Sequence, residues 1–224
     1  MNVDTIYLWL GTNTKLTSNF AEKVRGFIGK NMIEDTNLHN HEAGGKCIYR
    51  YPKVQYKILD KVPLLVGIQD GVDSVWKIFE NISRLDLDNK EYEIFDKRSF
   101  LKQNSLICVD KHTSYSFLTP WLALNEENHK KYREMENWED KKELLKKILV
   151  GNIISMSKSL GYTVPSPIRA DIKNVKEIHT SLKGTPMLGF LGTFSVNFEI
   201  PDYWGIGKSV SRGFGTVKRL DICA

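Results

Sequence analysis

The segment Val54-Gln55-Tyr56-Lys57-Ile58-Leu59-Asp60-Lys61-Val62-Pro63-Leu64-Leu65-Val66-Gly67-Ile68 decides the fold class of this chain. Residues from Ile48 to Ile58 alternate, with Val54, Tyr56 and Ile58 on one side and Gln55 and Lys57 on the other, which reads as a half-buried strand. A short turn at Asp60-Lys61 returns the chain into a second strand from Leu64 to Ile68. Before this hairpin, Ile6 to Leu10 reads as a strand. Thr17 or Ser18 then caps a helix that carries Phe20, Val24, Phe27 and Ile28 on one face and ends at Gly29. After the hairpin, Asp73 opens a second helix presenting Trp76, Phe79 and Ile82. The order is strand, helix, strand, strand, helix. A last strand at Tyr92 to Phe95 or at Leu106 to Val109 completes a ferredoxin-like unit, the fold of many RNA-binding modules.

The second half repeats that order. Ser114 to Leu124 supplies a strand, and Lys142 to Leu160 a long helix with Leu145, Leu149, Met156 and Leu160 in register and Gly161 as its stop. Lys141, Lys142, Lys146 and Lys147 form its solvated face. Pro165 and Pro167 break the chain before a segment from Ile168 to Val175. Leu188, Phe190, Phe194, Val196 and Phe198 then alternate with smaller or polar residues, and Gly215 to Leu220 leads out as the last strand. The expectation is an α+β chain of two tandem ferredoxin-like (RRM-like) domains, 1–110 and 111–224.

The length of 224 residues suits two such domains, and a hydrophobic content of 41% can bury a core for each. Neither a signal peptide nor a membrane-spanning run is legible, so no membrane is expected. Three cysteines, Cys47, Cys108 and Cys223, are widely separated and odd in number. They fit neither a disulfide framework nor a zinc ribbon, and a cytoplasmic location follows. The formal charge of +5 tilts the chain toward an acidic partner. Basic residues gather twice beside aromatic or glycine-rich segments: Arg50, Lys53, Lys57 and Lys61, and Lys208, Arg212, Lys218 and Arg219.

The second gathering surrounds Gly205-Ile206-Gly207-Lys208-Ser209-Val210-Ser211-Arg212-Gly213-Phe214-Gly215. Its glycines allow a backbone to approach a phosphate closely. It is not a Walker loop, because Asp202 stands where the first glycine belongs, and not a dinucleotide fingerprint, because Val210 occupies the third glycine position. Nothing in it can act as a general base near neutral pH. Proton transfer must come from elsewhere, and His39 and His41, two apart in a loop followed by Gly44-Gly45, are the candidates. A metal site built on these two with Glu42 would need further ligands, for which only scattered residues such as Asp110 or His112 offer themselves. His112, His129 and His179 stand alone, and no nucleophile carries a Gly-x-Ser-x-Gly signature.

The pattern Gly205-Ile206-Gly207, five residues, Gly213-Phe214-Gly215 resembles the glycine-rich motif of the CRISPR-associated repeat endoribonucleases, the sixth Cas family. The stretch from His39 to Lys57, with Arg50-Tyr51-Pro52-x-Val54-Gln55-Tyr56-Lys57 behind the histidines, resembles its b-type branch. The resemblance implies two ferredoxin-like domains and cleavage of precursor CRISPR RNA within repeats. It also implies cutting without metal or other cofactor, leaving a 2′,3′-cyclic phosphate and a 5′-hydroxyl. Matching to this branch makes His41 and His39 the general acid and base, in either order. Lys30 and Tyr49 become orienting or phosphate-contacting groups, with Tyr51 as the alternative tyrosine. Arg50, Lys53, Lys57, Gly205, Gly207, Lys208, Ser209, Arg212, Gly213, Gly215, Lys218 and Arg219 would hold RNA, although Lys53 and Lys57 also suit the solvent side of a strand. The implied partner is CRISPR repeat RNA, with a CRISPR effector complex and a homodimer as further candidates. A non-catalytic RNA-binding subunit of such a complex is the alternative reading.

Overall fold

The computed structural model describes residues 1–39 and 50–220, with His39 described by its backbone alone. By internal contacts the chain divides into two compact units. One comprises Asn2–Asn104 with Val210–Gly213, and the other Met1, Ser105–Ser209 and the chain from Phe214 onward.

The N-terminal unit runs β1 (Asn2–Thr12), α1 (Phe20–Asn31), α2 (Thr36–His39), β2 (Val54–Leu59), β3 (Val62–Ile68), α3 (Gly71–Asn81), β4 (Arg84–Leu87) and β5 (Lys90–Ser105). Its sheet has the order β2-β3-β1-β5-β4, so β5 is the fourth ferredoxin strand and β4 an added edge. The hairpin forms as expected, with Leu59 paired to Val62 and Val54 to Gly67. Asp60 and Lys61 both take positive φ, 49° and 68°, the two-residue turn whose twist matches its strands. One face of this sheet joins α1 and α3 in a core that includes Ile6, Leu8, Val24, Ile28, Tyr56, Leu65, Val75 and Ile78.

Helix α1 continues past Gly29 to Asn31, and α3 begins at Gly71 rather than at Asp73. Three further local expectations change. The cap of α1 is neither Thr17 nor Ser18 but Asn19, and its own side chain makes no capping bond. Instead the carbonyls of Thr17 and Ser18 accept from the amides of Phe20 and Ala21 at 2.9 and 3.3 Å. Of the face expected on α3, Ile82 is buried and Phe79 packs partly buried against the core, joined by Val75 and Ile78, but Trp76 is 46% exposed and stacks on Phe79 with ring centroids 5.1 Å apart. The strand β2 is buried along its whole length, not half-buried. Gln55 and Lys57 are 0% and 1% exposed, because the second face of the sheet is covered as well as the first.

The C-terminal unit runs β6 (Cys108–Trp121), α4 (Glu126–Glu134), α5 (Trp138–Ser159), β7 (Ala170–Ile172), β8 (Lys176–Leu182), β9 (Thr185–Phe198) and β10 (Val217–Arg219). Its sheet order is β10-β6-β9-β7, with β8 also on β9, the same ferredoxin-like order. Successive parts of one edge of β9 pair with β7 and β8. The two halves of the chain differ where a second helix would stand, between β9 and β10. The glycine-rich segment occupies that place and contains only the 3₁₀ turn Val210–Arg212. The core is aromatic: Trp121, Phe190, Phe194, Phe198 and Trp204 are all fully buried beside Leu145, Leu149 and Ile153 of α5. The solvated face expected of α5 is partly engaged, since Lys146 pairs with Glu143 at 2.7 Å and Asp171 at 3.2 Å.

Lys57 provides a stability test. Its ammonium donates to Gln55 Oε1 at 2.9 Å, and burial pushes its pKa down from 10.5 to about 7. The unfolded chain holds this proton up to about pH 10.5 and the native chain releases it near 7, so stability rises with pH across that window. Below pH 7 both states are protonated and the penalty is full and constant. Lys57→Met removes the unfavourably buried charge but also the donor on Gln55 Oε1, so the two effects oppose and Tm at pH 7 is expected to move by no more than about 2–4 °C, the shift that 1 kcal/mol gives a chain of this size. The same substitution should flatten the rise in stability between pH 7 and 10, as followed by thermal melts across pH.

Candidate nucleic-acid interface

The glycine loop begins as a narrow antiparallel ribbon. Tyr203 N donates to Val217 O at 2.7 Å, Val217 N to Trp204 O at 2.9 Å, and Ile206 N to Gly215 O at 2.8 Å. The end of β6 supports it: Gly215 N donates to Pro120 O at 2.8 Å, Lys208 N to Leu122 O at 3.2 Å, and Thr216 N to Thr119 Oγ1 at 2.9 Å. The glycines serve this closure directly. Gly215 has φ 63°, and a Cβ there would fall on the carbonyl oxygen of Ile206. Gly207 has φ 91°, and a Cβ would lie 2.6 Å from Trp121 Nε1, which itself donates to Asn152 Oδ1 of α5 at 3.1 Å. What approaches these glycines in the structure is the protein's own backbone and indole.

The tip, Val210–Gly213, groups with the N-terminal unit. There a Cβ on Gly213 would meet Ala21 Cβ at 3.0 Å and Tyr56 O at 3.1 Å, and Arg212 Nε donates to Glu22 Oε1 of α1 at 3.1 Å. Arg212 is therefore charge-paired and only 19% exposed along its side chain. Lys208 is exposed, with no ion pair among the described residues. Ser209 adopts φ 60°, a left-handed conformation in a residue other than glycine. On β10, Lys218 and Arg219 face outward, Lys218 Nζ lying 5.9 Å from the Tyr203 ring and Arg219 3.9 Å from Glu199.

The first basic gathering separates into surface and interior. Arg50 is exposed. Lys53 donates to Gln69 and faces Asp70 at 3.5 Å, with 11% of its side chain exposed. Lys57, placed on the solvent side by alternation, is instead interior. Tyr51 is buried to 9% exposure, whereas Tyr49 and His41 lie outside the described residues.

Lys30, exposed near the end of α1, lines an open depression of about 670 Å³ with Met32, Glu34, Asp35 and Lys77. From there the chain enters α2, whose final residue is His39. Asp35 fixes this turn: its Oδ1 accepts from Asn37 N at 3.1 Å and from Ser74 Oγ of α3 at 3.0 Å, and its Oδ2 lies 3.8 Å from Lys77 Nζ. Leu38 plants the turn in the core at 1% exposure. Nearby, Tyr56 carries a buried hydroxyl with no hydrogen-bond partner among the described residues. Burial raises its pKa, Arg25 opposes the rise and Asp35 adds to it. The sequence signal for Asp35 is the ordinary N-cap one, an Asp immediately before a helical turn, but it lies outside the sequence expectations because the turn it caps is only four residues long.

Among the described residues no group of three or more His, Cys, Asp or Glu side chains could hold a metal ion, and no helix is long and apolar enough to cross a membrane. The Cas6b N-terminal domain model matches residues 1–105 and the Cas6b C-terminal domain model residues 107–220. The chain belongs to the Cas6b family. A crystal structure of Cas6b superimposes with a TM-score of 0.92 at 37% identity, covering 98% of this chain and all of that one. The crystal structure of a CRISPR RNA processing endoribonuclease Cas6b gives 0.79 at 34% identity, over 98% of this chain and all of that one. An uncharacterized protein of Methanocaldococcus jannaschii is 42% identical over 145 residues, 65% of this chain and 98% of that protein. At 15% identity a Cas6-related protein of Pyrococcus furiosus shares the fold with a TM-score of 0.58, over 99% of both chains.

Two substitutions test these supports. Gly215→Ala is expected to lower stability by about 2 kcal/mol or more, because the new methyl meets backbone that cannot rotate away. Asp35→Ala should cost about 1 kcal/mol, the usual loss for a capping carboxylate. Denaturant unfolding of both variants beside the parent chain measures the two values.

Proposed function

We propose that this chain is a metal-independent endoribonuclease that cleaves precursor CRISPR RNA within its repeats. The observation that carries this reading is the match to both Cas6b domains along the chain, together with the likeness to a Cas6b solved as a CRISPR RNA processing endoribonuclease. The chemistry needs three groups. A base removes the proton of a ribose 2′-hydroxyl, whose oxygen forms a bond to the adjacent phosphorus. An acid protonates the departing 5′-oxygen as its bond to phosphorus breaks, and a cation or donors steady the charge of the phosphorane between. His41 and His39 divide the first two roles, and Lys30, with Tyr49, supplies the third. The products are a 2′,3′-cyclic phosphate and a 5′-hydroxyl.

The anchored turn supports this assignment. Asp35 and Leu38 fix the backbone that ends at His39, and Lys30 opens onto the depression beside that turn. Exposed Arg50 in one unit and Lys208, Lys218 and Arg219 in the other supply phosphate contacts, which hold RNA without reading its sequence. Arg212 contributes only as far as Glu22 leaves its charge available.

Incubation of a repeat RNA with the protein in excess chelator tests the reading. The parent chain is expected to release a fragment ending in a cyclic phosphate, and a His39→Ala/His41→Ala variant to cut about 10² to 10⁴ times more slowly. Tight binding without cutting by the parent chain would instead establish a non-catalytic RNA-binding subunit. Cutting abolished by chelator would establish a metal-dependent mechanism.

A further inference from the structure

Within the C-terminal unit, α4 and the turn joining β8 to β9 flank a cleft of about 630 Å³, a size typical of small-ligand sites. Its floor is apolar, formed by Leu124, Leu182, Met187 and Leu188. Its rim carries three exposed ammonium groups: Lys130 on α4, Lys183 at the hairpin turn and Lys208 of the glycine loop. Among the described residues none of the three has an ion-pair partner, whereas Lys53, Lys77, Lys131, Lys142 and Lys146 each face a carboxylate. The lining includes a single acid, Glu126, and one histidine, His129, so the rim is net positive.

The walls are held in place. Tyr132 of α4 donates to Glu177 Oε1 of β8 at 2.7 Å and packs edge-on against Phe190 of β9 at 5.5 Å. The opposite wall is a tight hairpin in which Leu182 pairs with Thr185, with Lys183 and Gly184 at φ 52° and 79°. The cleft is therefore preformed and does not need ordering by a ligand.

We propose that this cleft is a binding subsite for unpaired RNA, taking a base against the Leu-Met floor while Lys130, Lys183 and Lys208 meet the flanking phosphates. It rests on the RNA-processing reading above. An apolar floor beneath a cationic rim matches the two chemically distinct parts of a nucleotide. A stacked duplex keeps its bases out of reach, so only unpaired nucleotides can use the floor.

Fluorescence anisotropy with a single-stranded repeat RNA, across a salt series, tests the rim in a Lys130→Ala/Lys183→Ala variant. Its Tm should match the parent's, since neither lysine has an ion-pair partner to lose. Affinity is expected to fall roughly ten-fold, and the slope of log affinity against log salt to shrink by about 1.4, the value for two phosphate contacts to a single strand. For the floor, the same RNA carrying a photoreactive thionucleoside at each position in turn should cross-link to Met187 or Leu188 from one or two adjacent positions. Unchanged affinity and slope with no adduct there, while the parent still binds and cuts the RNA, would overturn the subsite and leave the proposed function standing. That outcome would make the cleft a candidate for an acidic protein segment instead. Failure of the parent chain to bind the RNA at all would overturn both.

Discussion

The closure of the glycine loop on its own backbone is the constraint from which the candidate interface follows. Ile206 N bonds Gly215 O, Gly215 N bonds Pro120 O, and no room remains for a Cβ at Gly215. Any side chain there would meet the Ile206 carbonyl and weaken the closure of the ribbon. With the ribbon closed, the segment between β9 and β10 stands where a ferredoxin-like unit would place its second helix. Its stem is hydrogen-bonded to the end of β6, and Lys208 is presented at the surface. The motif is thus first a structural solution. The charge it leaves exposed is that of Lys208.

The N-terminal unit meets a comparable demand by different means. Its histidine segment begins from a helical turn of only four residues, too short to be stable by itself. Asp35 caps that turn and ties it to Ser74 of α3, and Leu38 inserts into the core. Were the proposed histidines the reacting groups, backbone held in place before substrate arrives would spare the transition state that orientation. The cost of an ordered interior appears at β2, where Lys57 is fully enclosed with a polar partner and without an opposing charge in that bond.

Much of this was legible in the chain itself. The hairpin around Asp60-Lys61, the long helix stopped by Gly161, and the paired strand–helix orders all come from periodicity and turn chemistry, which are local properties. The four glycines and the two histidines were legible as a pattern for the same reason. Alternation along a strand does not specify exposure. Lys57 alternates correctly with Tyr56, yet both sides of β2 are buried, and no count along one strand reveals what lies across its second face. Likewise Trp76 shares helical spacing with Phe79 and Ile82, which do pack on the core, but it stands 46% exposed because the most buried line of α3 runs through Val75 and Ile78.

The sequence by itself determined the fold class and the family, because strand order, turn residues and glycine spacing are written in consecutive residues. Only the tertiary structure decided which charges are available. Arg212 meets Glu22 from the far end of the chain, Lys57 disappears into the interior, and Lys130, Lys183 and Lys208 converge from three separate segments on one cleft. Charge availability depends on neighbours in space and on exclusion of water, and both are set by contacts between residues that the chain keeps far apart.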